Sequence, residues 1–297
     1  MRKKALFSIL ACLFLFTTML STAFAQDEDA ALIVAVGIVP EATFVEAVAG
    51  DLADIVTLVP PGNSPANYQP TTTEMQQLSD AAVYFTLQMP TERANILPSV
   101  TDFNADLTIV DLREAILEVY PLRNTSGEAI TTTENQTVDP HVWLSPKNAI
   151  VMVQTIADEL SVIDPANQET YQANAATYIA KLEALDSDIQ EKTAALSNKS
   201  FIIYHAAYGY FADDYGLTMV AIEIEGKQAT AAELQQVIDF AREQSITTVF
   251  YQAEFDDNQA ATVAEEIGGT VAQAAPLSPD YIQGLEDFVR ALAQLND

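Results

Sequence analysis

The chain of 297 residues carries 13 lysines and arginines against 42 aspartates and glutamates, a formal net charge of −29. Such a surface repels nucleic acid and anionic membranes and gathers cations only diffusely, so acidity alone identifies no metal site. A single cysteine, Cys12, excludes a disulfide framework and cysteine-rich metal sites.

Arg2, Lys3 and Lys4 precede an apolar stretch over residues 5–20, and Ala23-Phe24-Ala25 has the small-x-small pattern of a cleavage site. Residues 1–25 are therefore expected to be a signal peptide, and the protein to be secreted across the cytoplasmic membrane to a periplasmic or cell-surface location. The apolar stretch is shorter than the roughly 20 residues a spanning helix needs. Ile9-Leu10-Ala11-Cys12 has some likeness to a lipidation box, but the apolar run continues well past it. The residues that follow are too many for one ordinary core and fit two lobes.

In the first half, short apolar runs at 32–36, 55–59, 82–87 and 107–110 alternate with helix-like stretches at 41–49, 73–78 and 91–96. Alternation of this kind predicts βα units and a parallel sheet. A polar segment at 121–138, rich in Thr, Asn and Glu, reads as a loop. Next comes Asp139-Pro140-His141-Val142-Trp143-Leu144-Ser145-Pro146, which places His141 just before a helix start. Asp164-Pro165 is a second helix-start signal, and no glycine or proline follows it until Gly209. Tyr171, Ala175, Tyr178, Leu182, Leu185, Ile189 and Leu196 form one apolar stripe at helical spacing. A helix over 165–196 would span about 48 Å at 1.5 Å per residue, and one rigid helix is a poor hinge.

The second half repeats the first, with strands predicted at 201–204, 219–224, 247–251 and 270–273 and helices at 231–243, 258–267 and 281–295. The reading is thus α/β, with two lobes, each a mostly parallel sheet flanked by helices, joined by one long rigid α-helix. The expected divisions are 26–163 for the N-terminal lobe, 164–198 for the linker helix and 199–297 for the C-terminal lobe. His205 closes the apolar run Phe201-Ile202-Ile203-Tyr204, at a strand end of the kind that faces a ligand crevice in open α/β sheets. His141 and His205 are the only two histidines, and neutral imidazole is the commonest metal-binding side chain. Two imidazoles brought together from distant parts of the chain would make half a metal site.

Several stretches in this order carry a resemblance that covers nearly the whole chain beyond the leader. They are Val59-Pro60-Pro61-Gly62 leading to Tyr68-Gln69-Pro70, the Asp139–Pro146 element, and His205-Ala206-Ala207-Tyr208-Gly209-Tyr210-Phe211 ending in Tyr215-Gly216-Leu217. Val249-Phe250-Tyr251-Gln252-Ala253-Glu254 and Pro276-Leu277 continue it. The chain resembles the zinc- and manganese-binding solute-binding proteins of ABC transporters. That resemblance implies a receptor that captures Zn2+ or Mn2+ as the transported ligand between its lobes and delivers it to a membrane permease. It also implies a monomer without nucleic-acid partners, and binding rather than catalysis.

Proteins of that family usually bind metal through four groups, and the resemblance places only two of them here. His141 and His205 match the second and third, whereas the first position is Ala66 and the acid expected before Pro276 is Ala275. A methyl group cannot ligate. Glu254, after the strand at 247–251, is the best replacement, because a carboxylate is an acceptable zinc or manganese ligand. Glu223 and Glu225 are second choices, and Asn67 could offer only a weak amide oxygen. Two imidazoles, a carboxylate and a water would also suit a zinc hydrolase, but no His-Glu-x-x-His, Gly-x-Ser-x-Gly or phosphate-loop motif occurs. A receptor for a metal chelate or another small solute remains the alternative.

Overall fold

Two four-stranded sheets with the same winding organise the chain. A computed structural model describes residues 31–223, 227–255 and 258–294; the expected signal peptide, Cys12 and Glu225 lie outside the described residues. The first sheet comprises β1 (Leu32–Val36), β2 (Ala53–Thr57), β3 (Val83–Thr86) and β4 (Thr108–Asp111). A small antiparallel hairpin follows, β5 (Leu122–Arg123) with β6 (Ala129–Ile130). The second sheet comprises β7 (Ser200–Ile203), β8 (Thr218–Ala221), β9 (Thr248–Gln252) and β10 (Thr270–Ala274). All pairings within the two large sheets are parallel.

Their strand orders are β2-β1-β3-β4 and, read from its other edge, β8-β7-β9-β10. The two lobes therefore share one topology, and each has its switch point where the winding reverses, beside β1 and β3 or β7 and β9. Ligands of open α/β sheets bind outside the carboxyl ends of the strands at that place. The central strands are the most apolar. Val34 to Val36 and all four residues of β3 are buried, whereas β2 and β4 at the edges are half-exposed.

The helices, in order, are α1 (Val39–Ala49), α2 (Thr72–Ser79), α3 (Val100–Phe103), α4 (Leu112–Leu117), α5 (Pro146–Ile163), α6 (Gln168–Ala195), α7 (Gly209–Tyr215), α8 (Ala231–Glu243), α9 (Asn258–Glu266) and α10 (Tyr281–Gln294). The stretch expected to be helical at 91–96 is a single π-helical turn, Glu92–Ile96. The polar segment at 121–138 is not wholly irregular, because it contains the β5–β6 hairpin and a bridge between Asn124 and Val138. Among the described residues no helix is long and apolar enough to cross a membrane.

The linker begins as a 3-10 turn, Pro165–Asn167, tied down by Tyr171 Oη donating to Asp164 Oδ2 at 2.7 Å. The 28 residues of α6 then run about 42 Å at 1.5 Å per residue. Tyr171, Ala175, Leu182, Leu185 and Ile189 of the expected stripe are buried, and Tyr178 is packed against them. This face is not a bare strut. It packs on α1 and α5 of the first lobe and on α7 and α10 of the second, so one hydrophobic core runs from Val34 and Phe44 through α6 to Phe201, Phe250 and Phe288.

The segment between β10 and α10 also touches the first lobe. Trp143 Nε1 donates to Pro276 O at 2.7 Å, Tyr281 Oη donates to Trp143 O at 2.6 Å, and Thr43 Oγ1 donates to Pro279 O at 2.9 Å. The Tyr281 ring stands edge-on to Phe44 with centroids 4.9 Å apart. These contacts set the spacing of the two sheets and hence of the crevice between them.

Candidate metal centre

His205 leaves the end of β7 beside the β9 carboxyl end, and a buried glutamine holds it there. Gln252 Oε1 accepts from His205 N at 3.1 Å while Gln252 Nε2 donates to His205 O at 2.8 Å, so both backbone groups of the histidine are fixed. Its ring Nδ1 lies 2.7 Å from Glu223 Oε2, beyond the end of β8. Phe255 stacks on the other side of the ring, with centroids 4.6 Å apart and planes at 27°.

His141 is built differently but ends in the same arrangement. It precedes a 3-10 turn, Val142–Leu144, and α5, whose first turn is capped by Ser145 accepting from Asn148 N. Pro140 and the Asp139 side chain shape the approach. Asp139 Oδ1 accepts from His141 N at 3.1 Å and lies 2.7 Å from His141 Nδ1. Behind it, Arg123 Nε is 3.2 Å from Asp139 Oδ2, an ion pair without hydrogen-bond alignment, and Arg123 Nη1 donates to Asp213 Oδ2 of the second lobe at 2.7 Å. Arg123 lies flat against Gly209, where an added Cβ would stand 2.6 Å from the guanidinium carbon. Tyr210 Oη completes the support, donating to Asp139 O and accepting from Arg123 N, both at 3.0 Å.

A carboxylate can only accept a hydrogen bond. In a neutral ring each Nδ1 therefore carries the proton, and each Nε2 presents its lone pair. The two Nε2 atoms face each other across the lobes at 3.2 Å, with ring centroids 5.1 Å apart and planes at 69°. Two lone pairs at that distance repel unless a cation or proton lies between them. Carboxylate–imidazole pairs of this kind orient metal-binding rings and raise their basicity.

The pair opens on a cavity of about 440 Å³. Glu254, Asn67 and Ala66 line it. Among the described residues no three His, Cys, Asp or Glu side chains are grouped closely enough to hold an ion, and Glu254 lines the same cavity as the two histidines. Glu223, a second-choice ligand on sequence grounds, instead has its carboxylate on His205 Nδ1, buried to 5% exposure, where it orients the ring. Ala275 lines a separate depression with Ser278 and Asp287, although the next two residues, Pro276 and Leu277, line the cavity. Sequence reasoning assigned no part to Asp139 or Gln252. The Asp-Pro-His spacing was a usable signal for the first, because an acid two residues before a histidine can reach its Nδ1. Nothing local announces the second.

Residues 34–295 match the family described as zinc-uptake complex component A, periplasmic (ZnuA). The chain belongs to the ZnuA family. Zinc-binding protein AdcA of Streptococcus pyogenes serotype M3 is 32% identical over 266 residues, which cover 84% of this chain and 50% of that protein. Manganese-binding lipoprotein MntA of Halalkalibacterium halodurans is 28% identical over 231 residues, covering 76% of this chain and 73% of that one. The chain thus spans about half the length of the AdcA relatives it matches. A crystal structure of ZnuA superimposes with a TM-score of 0.83 at 32% identity, covering 90% of this chain and all of that one. The zinc-bound ZnuA-like domain of Streptococcus pneumoniae AdcA gives 0.72 at 29% identity, with the same coverage of this chain and 100% of that domain. The expected architecture of two parallel-sheet α/β lobes joined by a long helix is that of these ZnuA-like structures.

Proposed function

We propose that this ZnuA-family protein is the extracytoplasmic receptor of an ABC transporter, which captures a divalent transition metal, zinc or manganese, in the inter-lobe cleft and hands it to a membrane permease. The observation that carries this is the facing pair of Nε2 atoms, 3.2 Å apart, each set by a carboxylate on Nδ1. A point about 2.0–2.1 Å from both nitrogens, the usual Zn–N length, sees them at an angle of about 100°, near the tetrahedral value. The cation would relieve the repulsion between the lone pairs and tie the lobes together. Imidazole donors suit zinc, and an added carboxylate broadens the site toward manganese. Glu254 is the proposed third ligand, reaching the ion by a side-chain movement from the cavity wall.

The role is binding and release, with no turnover. Family membership supports this, and so do the names of the relatives, which are binding proteins. Isothermal titration of metal-free protein with zinc tests it. His141→Ala and His205→Ala should each lower affinity by at least about 100-fold, since each removes one of two anchoring ligands, while the circular-dichroism melt stays cooperative. Unchanged zinc affinity in either variant would remove that residue from the site. Glu254→Ala should give a smaller loss, and no change would strike Glu254 from the ligand set.

A further inference from the structure

The cavity beside the two histidines has more room and more apolar wall than a bare ion uses. Its volume of about 440 Å³ falls in the range of small-molecule pockets. Trp143, Phe255, Met89, Pro90 and Leu277 supply the wall, with Ser64, Asn67, Thr125 and Glu254 as polar points. Apolar surface adds nothing to the binding of an ion, but it stabilises an organic body that leaves water. Phe255, already stacked on His205, places an aromatic ring next to the ion's position, with the buried Trp143 behind the His141 ring at 5.3 Å between centroids.

We infer that the cargo enters as a metal complex with a small organic chelator, the two imidazoles completing the ion's coordination while the chelator's apolar part occupies the cavity. The inference rests on the metal-capture reading and names what accompanies the ion. Charge narrows the class. Among the described residues no lysine or arginine lines the cavity, whereas Glu254 does. A polycarboxylate would therefore meet repulsion without compensation, and an amine- or imidazole-bearing chelator of the amino-acid type is favoured. Its ammonium or N–H groups can pair with the Glu254 oxygen that the ion leaves free, and its nitrogen can bind the ion without adding much negative charge.

Native mass spectrometry and titration at buffered free zinc test this on the full protein, using zinc alone, zinc with L-histidine, and zinc with citrate. L-Histidine should give a 1:1:1 protein–zinc–histidine species and raise apparent zinc affinity at least tenfold at equal free zinc. Citrate should give no such species. Ala66→His, in the cavity lining, should bind zinc alone at least as well as the parent and lose the histidine adduct, because an added imidazole takes both the space and a coordination position. Zinc bound with no adduct in the parent, and histidine acting only as a competitor, would overturn the chelate inference and leave metal capture standing. Absence of zinc binding both alone and with L-histidine would overturn both.

Discussion

At the residue scale, the site is a matter of which nitrogen each ring turns outward. Asp139 and Glu223 sit on the Nδ1 atoms at 2.7 Å and are nearly buried, with side-chain exposures of 8% and 5%. Partners of this kind are worth about 10–100-fold in metal affinity. Asp139→Asn and Glu223→Gln should therefore each weaken zinc binding by about that factor while the protein still folds, as titration calorimetry would record. A loss no larger than that of a remote surface variant would mean that the rings do not depend on these acids. That the two histidines could meet was legible in the sequence, since they are the only two and stand at element ends. Whether a third donor joins them was not. Glu254 follows the right strand, yet whether a carboxylate at a strand end turns toward the neighbouring ring depends on loop shape, and Phe255 holds the stacked place beside His205.

At the scale of elements, the first lobe keeps a buried carboxyl pair just behind its own switch point. Glu41 on α1 and Glu92 on the π-helical turn are fully buried and approach each other over Gly37, where an added Cβ would be 2.5 Å from Glu92 Oε1 and 3.0 Å from Glu41 Oε2. Glu41 Oε2 accepts from Gly37 N and Ile38 N, and Glu92 accepts from Tyr84 Oη and Met89 N. Burial first, and then the Glu92 charge, pushes the Glu41 carboxyl well above the usual range; burial also raises Glu92. A raised carboxyl is protonated in the folded chain where the unfolded chain has lost its proton. The stabilisation is therefore complete below the unfolded value, about 4.3, and is lost as pH rises through the folded values. Glu41→Gln keeps the acceptor and removes the charge. It should raise the melting temperature at pH 8 by at least about 2–4 °C and flatten its decline with rising pH; a melting profile parallel to the parent's would contradict the raised-carboxyl account. The alternation of strands and helices was readable from apolar runs, and β1 and α8 were bounded correctly by them. Other edges slipped because apolarity reports burial and not pairing. Leu58 and Val59 are buried beyond the end of β2. The two-residue strands of the β5–β6 hairpin are too short for alternation to show.

Across the whole molecule, the two lobes are one topology used twice, joined by the long helix and braced by the contacts of residues 276–281. The long helix was legible because its apolar stripe is uninterrupted by glycine or proline. The return contacts of Trp143, Pro276 and Tyr281 were not, since hydrogen bonds between residues 133 and 138 positions apart leave no local pattern. A core continuous through α6, with Arg123–Asp213 and Ser145–Asp214 bridging the lobes, resists hinge motion. Small-angle scattering should give a radius of gyration near 18 Å for a domain of this size. It should change by less than about 1 Å on zinc loading, whereas a contraction of several ångströms would show the lobes to be hinged. The central claim, that His141 and His205 share one ion, is tested most directly by X-ray absorption at the zinc edge of the loaded protein. The account predicts two imidazole nitrogens at about 2.0–2.1 Å, with one imidazole signal lost in each of His141→Ala and His205→Ala. A spectrum with no imidazole shell, or one unchanged in either variant, would contradict it.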